Sequence, residues 1–251
     1  VSAADTQDAR PHRSALVLAL LAILALLAFA GLVALGNWQV HRRAWKLDLI
    51  QRVDARIHAA PTVLPGAAEW PAMAAARDEY RRLQATGTFL YDQEVLTQAS
   101  TALGAGFWVM TPLRMQDGVL LVNRGFVPSN RRDRASRAAS EHPGQTTVTG
   151  LLRMTEPKGG FLRSNDPAAD RWHSRDVEAI VAARGLEGAA PFFLDADARA
   201  DPGGLPVAGL TVVSFPNNHL VYAVTWYALA LMVAGATAYV AREEWRARRP
   251  S

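Results

Sequence analysis

His219 stands at the head of an uncharged apolar run, and Tyr222 and Trp226 follow it at i+3 and i+7, with Ala223 between them. On a helix those spacings place an imidazole, a phenol and an indole on one face above a small residue. Two readings fit that face. In one, His219, Tyr222 and Trp226 form an interfacial belt, because rings with an apolar body and a polar tip settle at headgroup depth. In the other, the neutral imidazole of His219 donates a nitrogen lone pair to a haem iron, and Tyr222 and Trp226 flank the porphyrin edge. The remaining histidines, His12, His41, His58, His142 and His173, form no pair with metal-ligand spacing on a shared element. The chain has no cysteine, which excludes disulfides, thiolate metal sites, thiol nucleophiles and covalent c-type haem attachment. With scattered methionines as the only soft ligands, copper delivery is disfavoured as well.

Enzyme signatures are absent. The sequence holds no Gly-rich phosphate loop, no H-E-x-x-H and no G-x-S-x-G. Asp195 and Asp197 form a close acidic pair that reads as a solvated turn. The expectation is a protein that is not an enzyme. A pI near 9.8 is the mark of many nucleic-acid binders, but the formal charge is only +4 and many arginines flank apolar runs. Membrane-flanking charge therefore explains the basicity, and no nucleic-acid partner is expected.

The elements that must position His219 are two membrane spans. Residues 14–35 carry no charge over a length that, at ~1.5 Å per residue, covers the roughly 30 Å of a bilayer's hydrocarbon. Arg10 and Arg13 precede them. The alternative is a cleaved signal peptide, with Ala28-Phe29-Ala30 imitating a cleavage site, although such apolar regions usually run only about 7–15 residues. Residues 219–241 form the second span and lead into Arg242, Arg246, Arg248 and Arg249, which predict a cytoplasmic C-terminus. Two spans return the N-terminus to the same side. Arg42, Arg43 and Lys46 contradict that orientation by local count and are read as functional. Antiparallel spans bring Trp38, Gln39, Arg42 and Trp45 to the level of His219. Trp38 and Trp45 would then wall a haem, and Arg42 or Arg43 would pair with its propionates. A belt with snorkelling arginines is the competing account.

The map that follows is a cytoplasmic tail 1–13, a span 14–35, an amphipathic helical extension 36–60, a linker 61–77, an extracytoplasmic domain 78–218, a span 219–241 and a basic cytoplasmic tail 242–251. Pro61 and Pro65 end the extension. In the domain, β-branched and aromatic residues predict strands over 82–89, 94–98, 107–114, 119–127, 146–153, 192–195 and 210–215. Asp117-Gly118 marks a hairpin, and a basic loop covers 131–137. Ser174 is the expected N-cap of a helix over 175–184, with Gly185 closing it. The fold class is thus two transmembrane helices flanking an α+β, mostly antiparallel domain, a partly closed barrel. Asn123-Arg124-Gly125 ends a strand, where Arg124 either meets a partner or propionate, or simply turns beside a tight glycine.

Four runs carry a resemblance. They are Gly36-Asn37-Trp38-Gln39-Val40-His41-Arg42-Arg43-Ala44-Trp45-Lys46, Gly106-Phe107-Trp108-Val109-Met110-Thr111-Pro112-Leu113, Val122-Asn123-Arg124-Gly125-Phe126-Val127-Pro128 and Asn217-Asn218-His219-Leu220-Val221-Tyr222-Ala223-Val224-Thr225-Trp226-Tyr227. In that order, with both spans in place, they resemble the surfeit locus protein 1 family along nearly the whole chain. Residues 165–176, with Trp172, fit more loosely, and 202–206 look individual to this chain. The resemblance implies a bacterial assembly factor for haem-copper cytochrome c oxidase that binds haem a transiently, with His219 as the iron ligand. It implies as partners the oxidase catalytic subunit, membrane lipid and the machinery that makes haem a, in a bacterial inner membrane. A membrane-anchored scaffold that binds the nascent subunit without haem is the alternative.

Overall fold

The computed structural model describes residues 14–157, 159, 163–198, 204–211, 213 and 215–248. The 1–13 tail with Arg10, His12 and Arg13, the Pro202-Gly203 part of the individual stretch, and Arg249 lie outside the described residues. The chain divides into two compact units, Val1–Gln51 with Ser214–Ser251, and Arg52–Val213.

The first unit is helical. Helix α1, Ala15–His58, is unbroken, so the apolar run and its amphipathic extension are one element, whose last residues, from Arg52, fall in the second unit. It stops just before Ala60-Pro61, since a residue preceding proline is pushed out of the helical region. The C-terminal helix starts at His219 and runs to Ala247. Both helices are long and apolar enough to cross a membrane. Leu16, Leu20, Leu24 and Leu27 are all exposed. Such a stripe of bare leucines suits hydrocarbon, not water.

The second unit is a sheet closed on itself. Its strands are β1 Thr62–Val63, β2 Arg82–Phe89, β3 Val95–Thr101, β4 Gly104–Met115, β5 Gly118–Pro128, β6 Gln145–Met154 and β7 Ala189–Ala196. They lie in the order β1-β2-β6-β7-β5-β4-β3, and a further β2–β4 pairing closes a barrel of β2, β6, β7, β5 and β4. Pairing is antiparallel except between β1 and β2 and between β5 and β7. Closure has a steric condition at Gly87, where a β-carbon would lie 2.3 Å from the Arg114 carbonyl oxygen. A strand residue with a side chain could not make that crossing.

Alternation sorts the side chains into two cores. Leu120 and Val122 point into the barrel with Leu83, Leu113, Leu152 and Phe192. Their neighbours Val119 and Leu121 face outward, where Trp172 and helix α3, Val177–Arg184, cover them.

Several expectations need correction. Among the described residues of 210–215 there is no strand. Strand β7 already has β5 and β6 on its two sides, and Thr211 instead donates its hydroxyl to Asp195 at 3.0 Å. Within the 61–77 linker, β1 pairs with β2, and a 3-10 turn, Ala67–Ala72, buries Trp70, whose indole donates to the Pro65 carbonyl at 2.8 Å. The N-cap of α3 is Asp176, not Ser174; the Ser174 hydroxyl accepts from Gly159 and Asn165 instead. Gly185 closes α3 in the left-handed conformation. The 131–137 segment folds into 3-10 turns, and Arg137 is buried against Glu94 and two backbone carbonyls. Asp195 is buried rather than solvated. The parallel β5–β7 register sets it opposite Asn123, whose amide donates to it at 2.8 Å, and Arg153 and Arg175 pair with it at 3.1 and 3.0 Å. Burial alone would lower the pKa of the Arg175 guanidinium, but Glu156 and Asp195 outweigh it and raise it.

Candidate functional site

The site is built where helix α4, His219–Ala247, faces α1. Its geometry starts from helix periodicity. Gly36 and Gln39 are buried and Arg43 and Lys46 partly so, a spacing of three and four that defines one stripe of α1. On α4 the matching stripe runs through His219, Ala223 and Ala230, and both alanines are buried. Small residues let two helices approach where no hydrophobic force drives them together.

At the top of this stripe His219 Nδ1 lies 2.7 Å from the side-chain oxygen of Gln39. An amide oxygen only accepts, so the imidazole donates from Nδ1. Lower down, the Tyr227 hydroxyl donates to Asn37 Oδ1 at 2.7 Å. Lys46 Nζ stands 5.1 Å from the centre of the Phe215 ring.

The other residues singled out from sequence are distributed around this contact. Trp226 is partly buried, and its indole nitrogen is buried with no hydrogen-bond partner. Tyr222 is 54% exposed. Trp38 is exposed too, and Arg42 stacks on Trp45 with its guanidinium carbon 4.0 Å from the ring centre. At about 100° per residue, Trp38, Arg42 and Trp45 sit roughly 60–120° round α1 from Gln39. They share a face with one another, adjacent to the one that meets α4. His41 falls on the far side of α1 and is exposed. Gly36, Asn37 and Tyr227 carry no role that sequence reasoning assigns. A glycine and a tyrosine at the same depth on two helices is the signal that pairs them.

The described residues of the sheet unit hold a buried polar cluster around Asp195, in which Asn123, Arg153 and Arg175 satisfy its charge and hydrogen bonds. Among the described residues no group of three His, Asp or Glu could hold a metal ion. Arg124 turns inward: it donates to the Ser140 carbonyl and hydroxyl at 2.8 and 3.0 Å and lies 4.8 Å over the Tyr91 ring. Gly125 follows with φ +132°, against Val207. Asn123-Arg124-Gly125 therefore does not end a strand: it lies within β5, where the register against β4 shifts between Asn123 and Phe126.

A family model described as the SURF1 family matches residues 26–231. Surfeit locus protein 1 of Homo sapiens is 36% identical over 82% of this chain and 71% of its own length. Surfeit locus protein 1 of Mus musculus is 32% identical over 99% of this chain and 82% of its own. A SURF1-like protein of Monosiga brevicollis is 34% identical over 83% of each. With the match running from within α1, through the barrel strands, into α4, this chain belongs to the SURF1 family.

Proposed function

We propose that this chain is a membrane-anchored assembly factor that receives haem a and presents it to the catalytic subunit of a haem-copper cytochrome c oxidase, with His219 as the axial ligand. It makes and breaks no covalent bond. The observation that carries the reading is the contact of His219 Nδ1 with Gln39, which leaves the other ring nitrogen, Nε2, to offer a lone pair.

The residues fit the group. His219 would hold the haem through an imidazole nitrogen, and the bound iron would supply the Lewis-acid centre. Trp226 carries a buried indole N–H without an acceptor, which an oxygen on the porphyrin rim would satisfy. Arg42 and Trp38 lie at the same depth on α1, so that a guanidinium is at hand for a propionate and an indole for the ring face. We place both termini in the cytoplasm of a bacterial inner membrane and the barrel outside, on the strength of Arg242, Arg246 and Arg248. Partners on this reading are the oxidase subunit, the haem a-synthesising machinery and lipid.

A scaffold without haem is favoured by the exposure of Tyr222, Trp38 and Trp45, which suits a belt. One substitution separates the two. His219→Ala, purified from cells that make haem a, should remain inserted and folded yet lose its Soret absorbance. A well-folded His219→Ala with unchanged haem per chain would defeat the ligand assignment, and a wild-type protein without haem would favour the scaffold.

A further inference from the structure

We propose that Gln39 is a positioning residue for His219, holding the imidazole in its Nδ1–H form so that Nε2 faces a metal with its lone pair, and doing so as an uncharged acceptor that keeps the ligand releasable. The inference rests on the haem reading for its consequence, but its first half concerns two side chains of this molecule alone.

The geometry is specific. Gln39 is 8% exposed, unlike the residues on either side of it, and its oxygen is 2.7 Å from Nδ1. A neutral imidazole carries one proton, and an acceptor at Nδ1 settles which nitrogen has it. Metal-bound histidines are commonly oriented by such a partner on the opposite nitrogen, often a carboxylate, which also makes the ring a stronger donor. The helix pair lacks that stronger partner nearby. Helix α1 has no acidic residue before Asp48, and α4 has none before Glu243. Gln39 is therefore the acceptor on hand, and its neutrality has two physical effects. An amide is far less costly than a carboxylate at membrane depth. It also polarises the imidazole less, because a neutral acceptor makes a weaker hydrogen bond than an ionised one. A storage protein gains from the tightest ligand, whereas a carrier that must hand its cargo on gains from a well-aimed but weaker one. Gln39 supplies aim without added strength.

The test uses the full chain in detergent, labelled with 15N-histidine. In haem-free wild type at a pH of about 8, above the ordinary histidine range, His219 should show a protonated Nδ1 and a bare Nε2. Gln39→Leu should shift it toward the Nε2–H form, and Gln39→Glu, which keeps an acceptor oxygen, should restore Nδ1–H. An Nε2–H ring in the wild type, or a tautomer indifferent to Gln39→Leu, would overturn the proposal. In haem-loaded protein, transfer to apomyoglobin should be about tenfold faster for Gln39→Leu, the scale of losing an outer-shell partner, and slower than wild type for Gln39→Glu. Equal transfer rates in all three would overturn the claim about release. If wild type carries no haem, the parent reading fails, whereas a locked tautomer in that same sample still supports Gln39 as the positioning residue.

Discussion

The ring of Tyr227 occupies the space where Gly36 would carry a β-carbon: such a carbon would stand 2.6 Å from Cε1 and 2.8 Å from Cζ. The same tyrosine donates its hydroxyl to Asn37, the residue beside that glycine. One side chain of α4 thus both sets how near the helices come and fixes their rotation against each other. Gln39 is one turn further along α1, so this contact governs the distance from Gln39 to His219.

Gly36→Leu should therefore act on the site from a distance. Overpacking of this kind costs about 1–3 kcal/mol, and here it is relieved by separating α1 and α4. The expected outcome is loss of haem from the purified protein with the barrel's near-ultraviolet circular dichroism unchanged. Normal haem content in an inserted Gly36→Leu would show that the contact does not control the site.

Tyr227→Phe keeps the ring on Gly36 and deletes one hydrogen bond, worth about 1 kcal/mol. It should lower haem occupancy far less than Gly36→Leu. Haem per chain, measured on the two variants side by side, checks the ranking.

Arg124→Ala is expected to damage stability rather than haem binding. The side chain is 8% exposed, lies 4.0 Å from Glu94, and bonds Ser140 twice. Removing a buried partner of this kind costs roughly 3 kcal/mol or more. Urea unfolding should shift to lower concentration while haem per folded chain stays at the wild-type level. Lost haem at wild-type stability would return Arg124 to a ligand or partner role.

Asp78 sets an acid limit on the barrel unit. Burial pushes its carboxyl pKa up, but hydrogen bonds from Arg77, the Ala74 amide and Arg81 outweigh this and lower it to about 2. A lowered carboxyl stabilises the fold above its unfolded value near 4 and loses that contribution as pH falls from there toward 2. Asp78→Asn should remove roughly 2 kcal/mol at neutral pH and flatten the stability profile between about pH 4 and 2. An unchanged acid limb in the variant would refute the assignment.

Orientation is open to a direct measurement. A reporter active only outside the cytoplasm should be silent when fused at Ser251 and active when inserted near Gly144, an exposed turn. External activity at Ser251 would reverse the orientation inferred from Arg242, Arg246 and Arg248.

What the sequence determined by itself is whatever depends on local order along the chain. The spans are legible because residues 14–35 and 219–241 lack charge over a membrane's length, a property no distant contact can alter. Strand β2 matches its predicted bounds because alternation from Arg82 to Phe89 is a local pattern. His219 stood out for its residue type and its place at the head of a span. Tertiary structure decided the rest. Asp195 looked like a solvated turn until the parallel β5–β7 pairing, which no hydrophobic pattern encodes, set it against Asn123 and two arginines. Residues 210–215 have strand-like composition, but among the described ones none is in a strand, and Thr211 spends its hydroxyl on Asp195. The depth of Gln39 followed from counting, but its bond to His219 did not. Hydropathy sets how deep a residue lies; the rotation of one helix against another is set by packing, here the ring of Tyr227 on Gly36.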